Sequence, residues 1–170
     1  MGRDKALLPY RDTTLLEHAI ATMREITDDV RILCGPERRY EDYGVPVVTD
    51  AICGVGPLGG LYSALVSASI DGRPRIAWLA VDVPLVPSGL VAQLVAELDR
   101  AEVAMARTEN GVEPLCAAFR TEPALACVRR SFPAGRLKLT TALEGLNLRA
   151  IDADAAAFLN INRVSDYERL

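Results

Sequence analysis

Histidine is nearly absent from this chain. His18 is its one imidazole, so Ser-His-Asp and Cys-His catalytic arrangements have little to draw on. His18 also falls in an otherwise apolar helical stretch, which favours a structural place over a catalytic one. The four cysteines, Cys34, Cys53, Cys116 and Cys127, form no C-x-x-C pair, and a structural zinc site lacks its ligand spacing. Free and mostly buried thiols in a reducing cytoplasm are the expected setting. Positive charge is also scarce, with 19 Lys and Arg against 23 Asp and Glu for a formal net charge of −4. No basic stripe is available to neutralise a nucleic-acid backbone, although one polyphosphate could still be held locally. No run reaches the length of a membrane span, and the first residues read as neither a signal nor a transit segment. Neither nucleic acid nor membrane is therefore an expected partner. Internal repeats, low-complexity tracts and linkers are missing as well. The 170 residues, half of them apolar and a quarter charged, are expected to form a single domain over 1–170.

What is present alternates between helical and strand periodicity. Helices are predicted over 13–26 (after an Asp12-Thr13 cap signal), 58–70, 86–98 (capped by Ser88), 122–131, 137–146 and 164–170. Strands are predicted over 30–34, 45–48, 76–81, 103–106, 115–119 and 147–151. The polar turn at Glu109-Asn110-Gly111 implies an antiparallel hairpin within the otherwise parallel set. The continuous apolar run 76–81 reads as a central strand covered on both faces. The fold class is therefore α/β, with a mostly parallel sheet and right-handed crossovers. Ligands in such sheets bind beyond the carboxyl ends of the strands, where Asp50 and Asp82 both fall.

Asp82 is the first candidate. Pro84 biases Val83 towards an extended conformation, so the preceding carboxylate is aimed by a short stiff turn. One such carboxylate suits Mg2+, which binds through one or two carboxylates, phosphate oxygens and water. A turn-forming or capping aspartate is the plainer alternative. Gly54-Val55-Gly56-Pro57-Leu58-Gly59-Gly60 opens a helix whose N-terminus can meet an anion or a base edge. It matches neither a Walker loop nor the dinucleotide fingerprint. Gly56 and Pro57 are the better functional candidates there, and Gly59 and Gly60 read as packing positions. Lys5 stands before the apolar pair Leu7-Leu8, placed to neutralise phosphate, although a solvated charge would look the same. Arg136 and Lys138 could form an anion clamp or a solvated helix start. Asn160 and Asn162 flank Ile161 with strand alternation and point two amides to one side.

The ordered set is more specific than its parts. Met1-Gly2-Arg3-Asp4-Lys5-Ala6-Leu7-Leu8, Val48-Thr49-Asp50, Gly56-Pro57-Leu58-Gly59-Gly60, Val81-Asp82-Val83-Pro84, Glu113-Pro114-Leu115-Cys116-Ala117 and Phe158-Leu159-Asn160-Ile161-Asn162 occur in that order. The series resembles the molybdenum cofactor guanylyltransferases along essentially the whole chain. The resemblance implies a Rossmann-like, three-layer domain of the nucleotide-diphospho-sugar-transferase type. It implies transfer of GMP from GTP to molybdopterin with Mg2+, releasing pyrophosphate. Lys5 and Asp82 would be catalytic, and Asp82 would hold the metal. Lys5, Asp50, Gly56, Pro57 and Asp82 would bind the nucleotide, and Arg136, Asn160 and Asn162 would face molybdopterin. Transient contacts with molybdoenzymes or their chaperones, in the cytoplasm, belong to the same expectation. A CTP-dependent or sugar-phosphate nucleotidyltransferase, or a non-catalytic binding relative, would share much of the set.

The chain also departs from the family pattern. Cys34 stands near the place of a contact asparagine, Glu113 replaces a glutamine, and Val81 replaces a frequent cysteine. The family opens with a strand and a Leu-Ala-Gly-Gly turn before an Arg-Met-Gly-x-Asp-Lys continuation, and here the series begins at that Met. The domain is therefore expected to be N-terminally truncated. An opening strand commonly runs through the middle of such a sheet, and without it apolar faces and backbone groups of neighbouring strands stand uncovered.

Overall fold

The computed structural model describes residues 4–161. A small antiparallel hairpin, β1 (Pro9–Tyr10) with β2 (Thr13–Thr14), leads directly into helix α1 (Leu15–Arg24). Strand patterning did not foresee this hairpin, because two-residue strands carry no periodicity. The cap of α1 is Thr14, one residue beyond the Asp12-Thr13 signal. Its hydroxyl accepts from the Glu17 backbone N–H while the Glu17 carboxylate accepts from the Thr14 N–H, a reciprocal capping box. Strands β3 (Ile32–Leu33) and β4 (Val47–Val48) then pair in parallel, and α2 (Pro57–Ile70) follows with Pro57 in its first turn.

Strand β5 (Arg75–Leu79), helix α3 (Ser88–Glu97), the hairpin β6 (Val103–Thr108) and β7 (Gly111–Arg120), helices α4 (Thr121–Ser131) and α5 (Leu139–Ala142), and strand β8 (Leu148–Asp152) complete the order. The expected Ser88 cap is not one, since Ser88 is the first helical residue and its hydroxyl is turned to Glu25. The helix predicted over 137–146 shrinks to the single turn of α5. The helix predicted over 164–170 lies outside the described residues.

Strands β5, β7, β6 and β8 lie side by side in that order. Three of them run the same way and β7 runs against them, which agrees with an α/β fold and a mostly parallel sheet. Alternation along the strands builds the two faces. Val103, Met105, Ala117 and Phe119 pack against Leu58, Leu61 and Leu65 of α2 and Leu125 and Val128 of α4. Ala104, Ala106, Cys116 and Ala118 face Leu90, Val91, Leu94 and Leu98 on and just beyond α3. Small residues on that face let α3 approach closely. The result is three layers, with the carboxyl end of β5 opening beside α1.

The expected single sheet is divided. The β3–β4 pair forms its own ladder and is not hydrogen-bonded to β5. Consistent with that break, Ile76 through Val81 are only half-buried, although their sequence reads as a strand covered on both faces.

Candidate active site

The site forms where β5 ends. Asp82 follows the strand directly, and its carboxylate accepts a hydrogen bond from the Lys5 ammonium at 2.6 Å. Two backbone contacts hold the turn that carries it. The Ile161 N–H donates to the Asp82 carbonyl at 3.0 Å, and His18 Nε2 donates to the Pro84 carbonyl at 2.8 Å. His18 itself lies against the Tyr10 ring, with centroids 4.7 Å apart. The lone histidine is thus a brace for the Asp82 turn.

Lys5 is held from the other side. It begins a short 3-10 turn, Lys5–Leu7, whose N-cap is Asp4, and the Asp4 side chain accepts from the Ala6 N–H. The same carboxylate takes Arg39 Nη1 at 3.1 Å and the Tyr40 hydroxyl at 2.7 Å. Arg39 Nη2 reaches on to the Cys34 carbonyl. Burial, followed by the hydrogen bond to anionic Asp4, pushes the Tyr40 phenol up to about 12, so it remains a donor at neutral pH. Tyr40 adopts φ 67°, a left-handed conformation that is rare for a non-glycine residue. Sequence reasoning missed Asp4, Arg39 and Tyr40 as a group. Asp4 stands beside Lys5 in the motif, but nothing in a charged loop signals that Arg39 and Tyr40 return to it.

Asp50 lies beyond β4, its backbone N–H bonded to the Gly35 carbonyl at 2.8 Å. Its half-buried carboxylate has no hydrogen-bond partner among the described residues, and burial raises its pKa. Gly60 and the Trp78 ring are beside it. A Cβ added at Gly60 would meet Trp78 Cη2 at 3.2 Å and Asp50 Oδ1 at 3.5 Å. The indole Nε1 of Trp78 is buried without a partner in the described structure. Gly56, at φ 61° and ψ −150°, caps α2, and Pro57 takes the first helical position. That backbone geometry is accessible only to glycine at low cost.

The predicted residues are therefore only partly drawn together. Lys5 and Asp82 touch, and Asn160 is brought near them because its neighbour Ile161 bonds the Asp82 carbonyl. Asp50, Gly56 and Pro57 line the start of α2. Arg136 is exposed in the turn after α4 and has no side-chain contact with the Lys5–Asp82 pair. Asn162 lies outside the described residues. Among those residues, no group of three or more His, Cys, Asp or Glu side chains converges as a metal cluster.

A carboxylate and an ammonium thus meet at the carboxyl end of β5, and a glycine-led helix N-terminus opens after β4, an arrangement compatible with a nucleotidyltransferase type of α/β fold. The comparisons agree. A solved structure of molybdopterin-guanine dinucleotide biosynthesis protein A from Archaeoglobus fulgidus superimposes with a TM-score of 0.74 at 21% identity, covering 99% of this chain and 89% of that one. The family model described as MobA-like NTP transferase domain matches residues 1–145, and the chain belongs to that family. A molybdenum cofactor guanylyltransferase from Yersinia pseudotuberculosis is 30% identical over 173 residues, covering 97% of this chain and 85% of the relative. A probable molybdenum cofactor guanylyltransferase from Opitutus terrae is 36% identical over 120 residues, 70% of this chain and 59% of that relative's length. The chain is thus a nucleotidyltransferase of the kind found in molybdenum cofactor biosynthesis.

Proposed function

We propose that this protein transfers GMP from GTP to molybdopterin, forming the guanine dinucleotide and releasing pyrophosphate. The Lys5–Asp82 pair at the end of β5 carries this reading. A phosphate oxygen of molybdopterin forms a bond to the α-phosphorus of GTP, and the bond from that phosphorus to the bridging oxygen breaks. The electron pair leaves with pyrophosphate. Lys5 neutralises negative charge growing on the departing phosphates, and no protein nucleophile is needed. Asp50 and the N–H groups opening α2 at Gly56 and Pro57 receive the nucleotide. Asn160 contacts the pterin side, with Asn162 and Arg136 completing that side as the resemblance implies.

Asp82 fits a magnesium ion. Its Oδ2 holds Lys5, while Oδ1 has no hydrogen-bond partner among the described residues. One free carboxylate oxygen matches an ion held mainly by substrate phosphates and water. Mg2+ bound there supplies electrostatic stabilisation of phosphate charge.

The four free cysteines accord with a reducing cytoplasm, and no described helix is long and apolar enough to cross a membrane. Transient contacts with molybdoenzymes or their chaperones would let the finished cofactor be handed on. The test is pyrophosphate release from GTP that requires both molybdopterin and Mg2+. Faster release from CTP than from GTP would reassign the nucleotide. Pterin binding without any pyrophosphate release would overturn catalysis altogether.

A further inference from the structure

Two side chains of the β3–β4 loop hold the segment that carries Lys5. That segment is a single 3-10 turn, Lys5–Leu7, too short to fix its own direction. Asp4 fixes it with both carboxylate oxygens. Oδ1 accepts from the Ala6 N–H at 3.1 Å and closes the turn. Oδ2 accepts from Arg39 Nη1 at 3.1 Å and from the Tyr40 hydroxyl at 2.7 Å. Arg39 is anchored in turn. Its Nη2 donates at 3.1 Å to the carbonyl of Cys34, just past β3, and its guanidinium carbon lies 5.1 Å from the Tyr40 ring centroid. With both ends engaged, Arg39 acts as a strut between β3 and Asp4. Tyr40 takes its place at φ 67°, where glycine would sit without strain. The residue found there is one whose hydroxyl reaches Asp4.

We propose that Arg39 and Tyr40 are positioning residues for Lys5, directing its ammonium to Asp82 by keeping the neighbouring Asp4 carboxylate occupied. The proposal rests on the reading that Lys5 meets the departing phosphates. Asp4 precedes Lys5 directly in the chain, and a bare Oδ2 there would compete with Asp82 for the same ammonium. Two donors on Oδ2 remove that competitor. One of them is a cation, which balances the Asp4 charge and makes the bond a strong one. The Lys5 ammonium is then left at 2.6 Å from Asp82 Oδ2, at the end of β5. Arg38, one position before Arg39, has no part in this, because it pairs with Glu41 on its own loop.

The chain has two lysines, Lys5 and the exposed Lys138, so acetylation by acetic anhydride reads Lys5 against an internal reference. The ratio of the two rates is measured by peptide mass for the parent, Asp82→Asn, Arg39→Ala/Tyr40→Phe and the triple variant, with a melting temperature for each. In the parent background Asp82→Asn is expected to raise Lys5 acetylation about threefold or more, because it frees the ammonium from its partner. With Arg39→Ala/Tyr40→Phe in place, Asp82→Asn should no longer change it. The same rise in both backgrounds would overturn the proposal. In pyrophosphate release, Arg39→Ala/Tyr40→Phe should lower kcat about tenfold with KM for GTP little changed. Once Lys5 is replaced by alanine, the pair of substitutions should lower it no further. An equal fold loss with and without Lys5 would mark a merely structural lock and overturn the proposal too. Arg38→Ala is the control and should match the parent in both assays; the same changes there would assign the effect to the whole loop and overturn the role of Arg39. Should the double variant fail to fold, Tyr40→Phe alone, which removes one oxygen, decides by the same comparisons. Acetylation needs no nucleotide, so the positioning of Lys5 can fail while the proposed function stands, and can hold where no pyrophosphate is released.

Discussion

Lys5 Nζ lies 2.6 Å from Asp82 Oδ2, although 77 positions separate the two residues in the chain. Their side chains are 35% and 20% exposed, so the pair is screened and contributes at most about 1 kcal/mol to stability. In the proposed reaction its value lies in the site, where Lys5 would meet phosphate oxygens and Asp82 would hold the metal ion.

Asp82→Asn is expected to keep the fold, because the Ile161 and His18 contacts on this turn are to backbone carbonyls that the substitution leaves in place. An amide is a much poorer magnesium ligand than a carboxylate. Loss of the charge should reduce Mg2+-dependent pyrophosphate release on the order of a hundredfold or more. Release at the parental rate would remove Asp82 from the reaction.

Lys5→Ala should slow turnover and shift the melting temperature little. If the two residues act on the same phosphates, the double variant Lys5→Ala/Asp82→Asn loses less than the product of the single losses. Strict multiplicativity in a double-mutant cycle would show that they serve separate steps.

Much of the frame was readable from periodicity, because α1, α2, α3 and β5 through β8 carry apolar repeats long enough to register. The Lys5 and Asp82 candidates were legible too, each beside a strand end or a break. Three things were not. The brace of His18 on Pro84 and the lock of Arg39 and Tyr40 on Asp4 are long-range contacts of polar residues, which leave no period in the sequence. The short β1–β2 hairpin is fixed by its neighbours; its Arg11 adopts φ 51°, where glycine or asparagine would be the readable signal.

Gly59→Ala should destabilise the protein. A Cβ there would sit 2.5 Å from the Ile52 carbonyl oxygen and 3.0 Å from Val55 Cγ2, and a backbone oxygen cannot step aside alone. Overpacking of this kind costs about 1–3 kcal/mol, or roughly 2–4 °C of melting temperature per kcal/mol at this chain length. Calorimetry on Gly59→Ala beside Gly56→Ala separates packing from backbone conformation. Gly56 has open space around it, but its positive φ strains any side chain. An unchanged melting temperature for Gly59→Ala would contradict the close approach of α2 to the 50–56 loop.

Asp50→Asn tests whether an unpartnered, half-buried carboxylate is kept for the nucleotide at the expense of the fold. Burial raises the Asp50 pKa in the folded state, so the native carboxyl holds its proton to higher pH than the unfolded one does. Above the unfolded value of about 3.9 the folded protein binds more protons, and stability contributed by this group falls as pH rises through the folded pKa. An asparagine carries no such penalty. The variant should melt close to the parent in acid below that value, and above the parent at neutral pH, with the gap opening across the interval between. Over the same range its affinity for GTP should drop, because the anionic acceptor beside Trp78 and Gly60 is gone. A variant that melts lower than the parent at neutral pH and binds GTP unchanged would make Asp50 a structural residue of the β4–α2 loop.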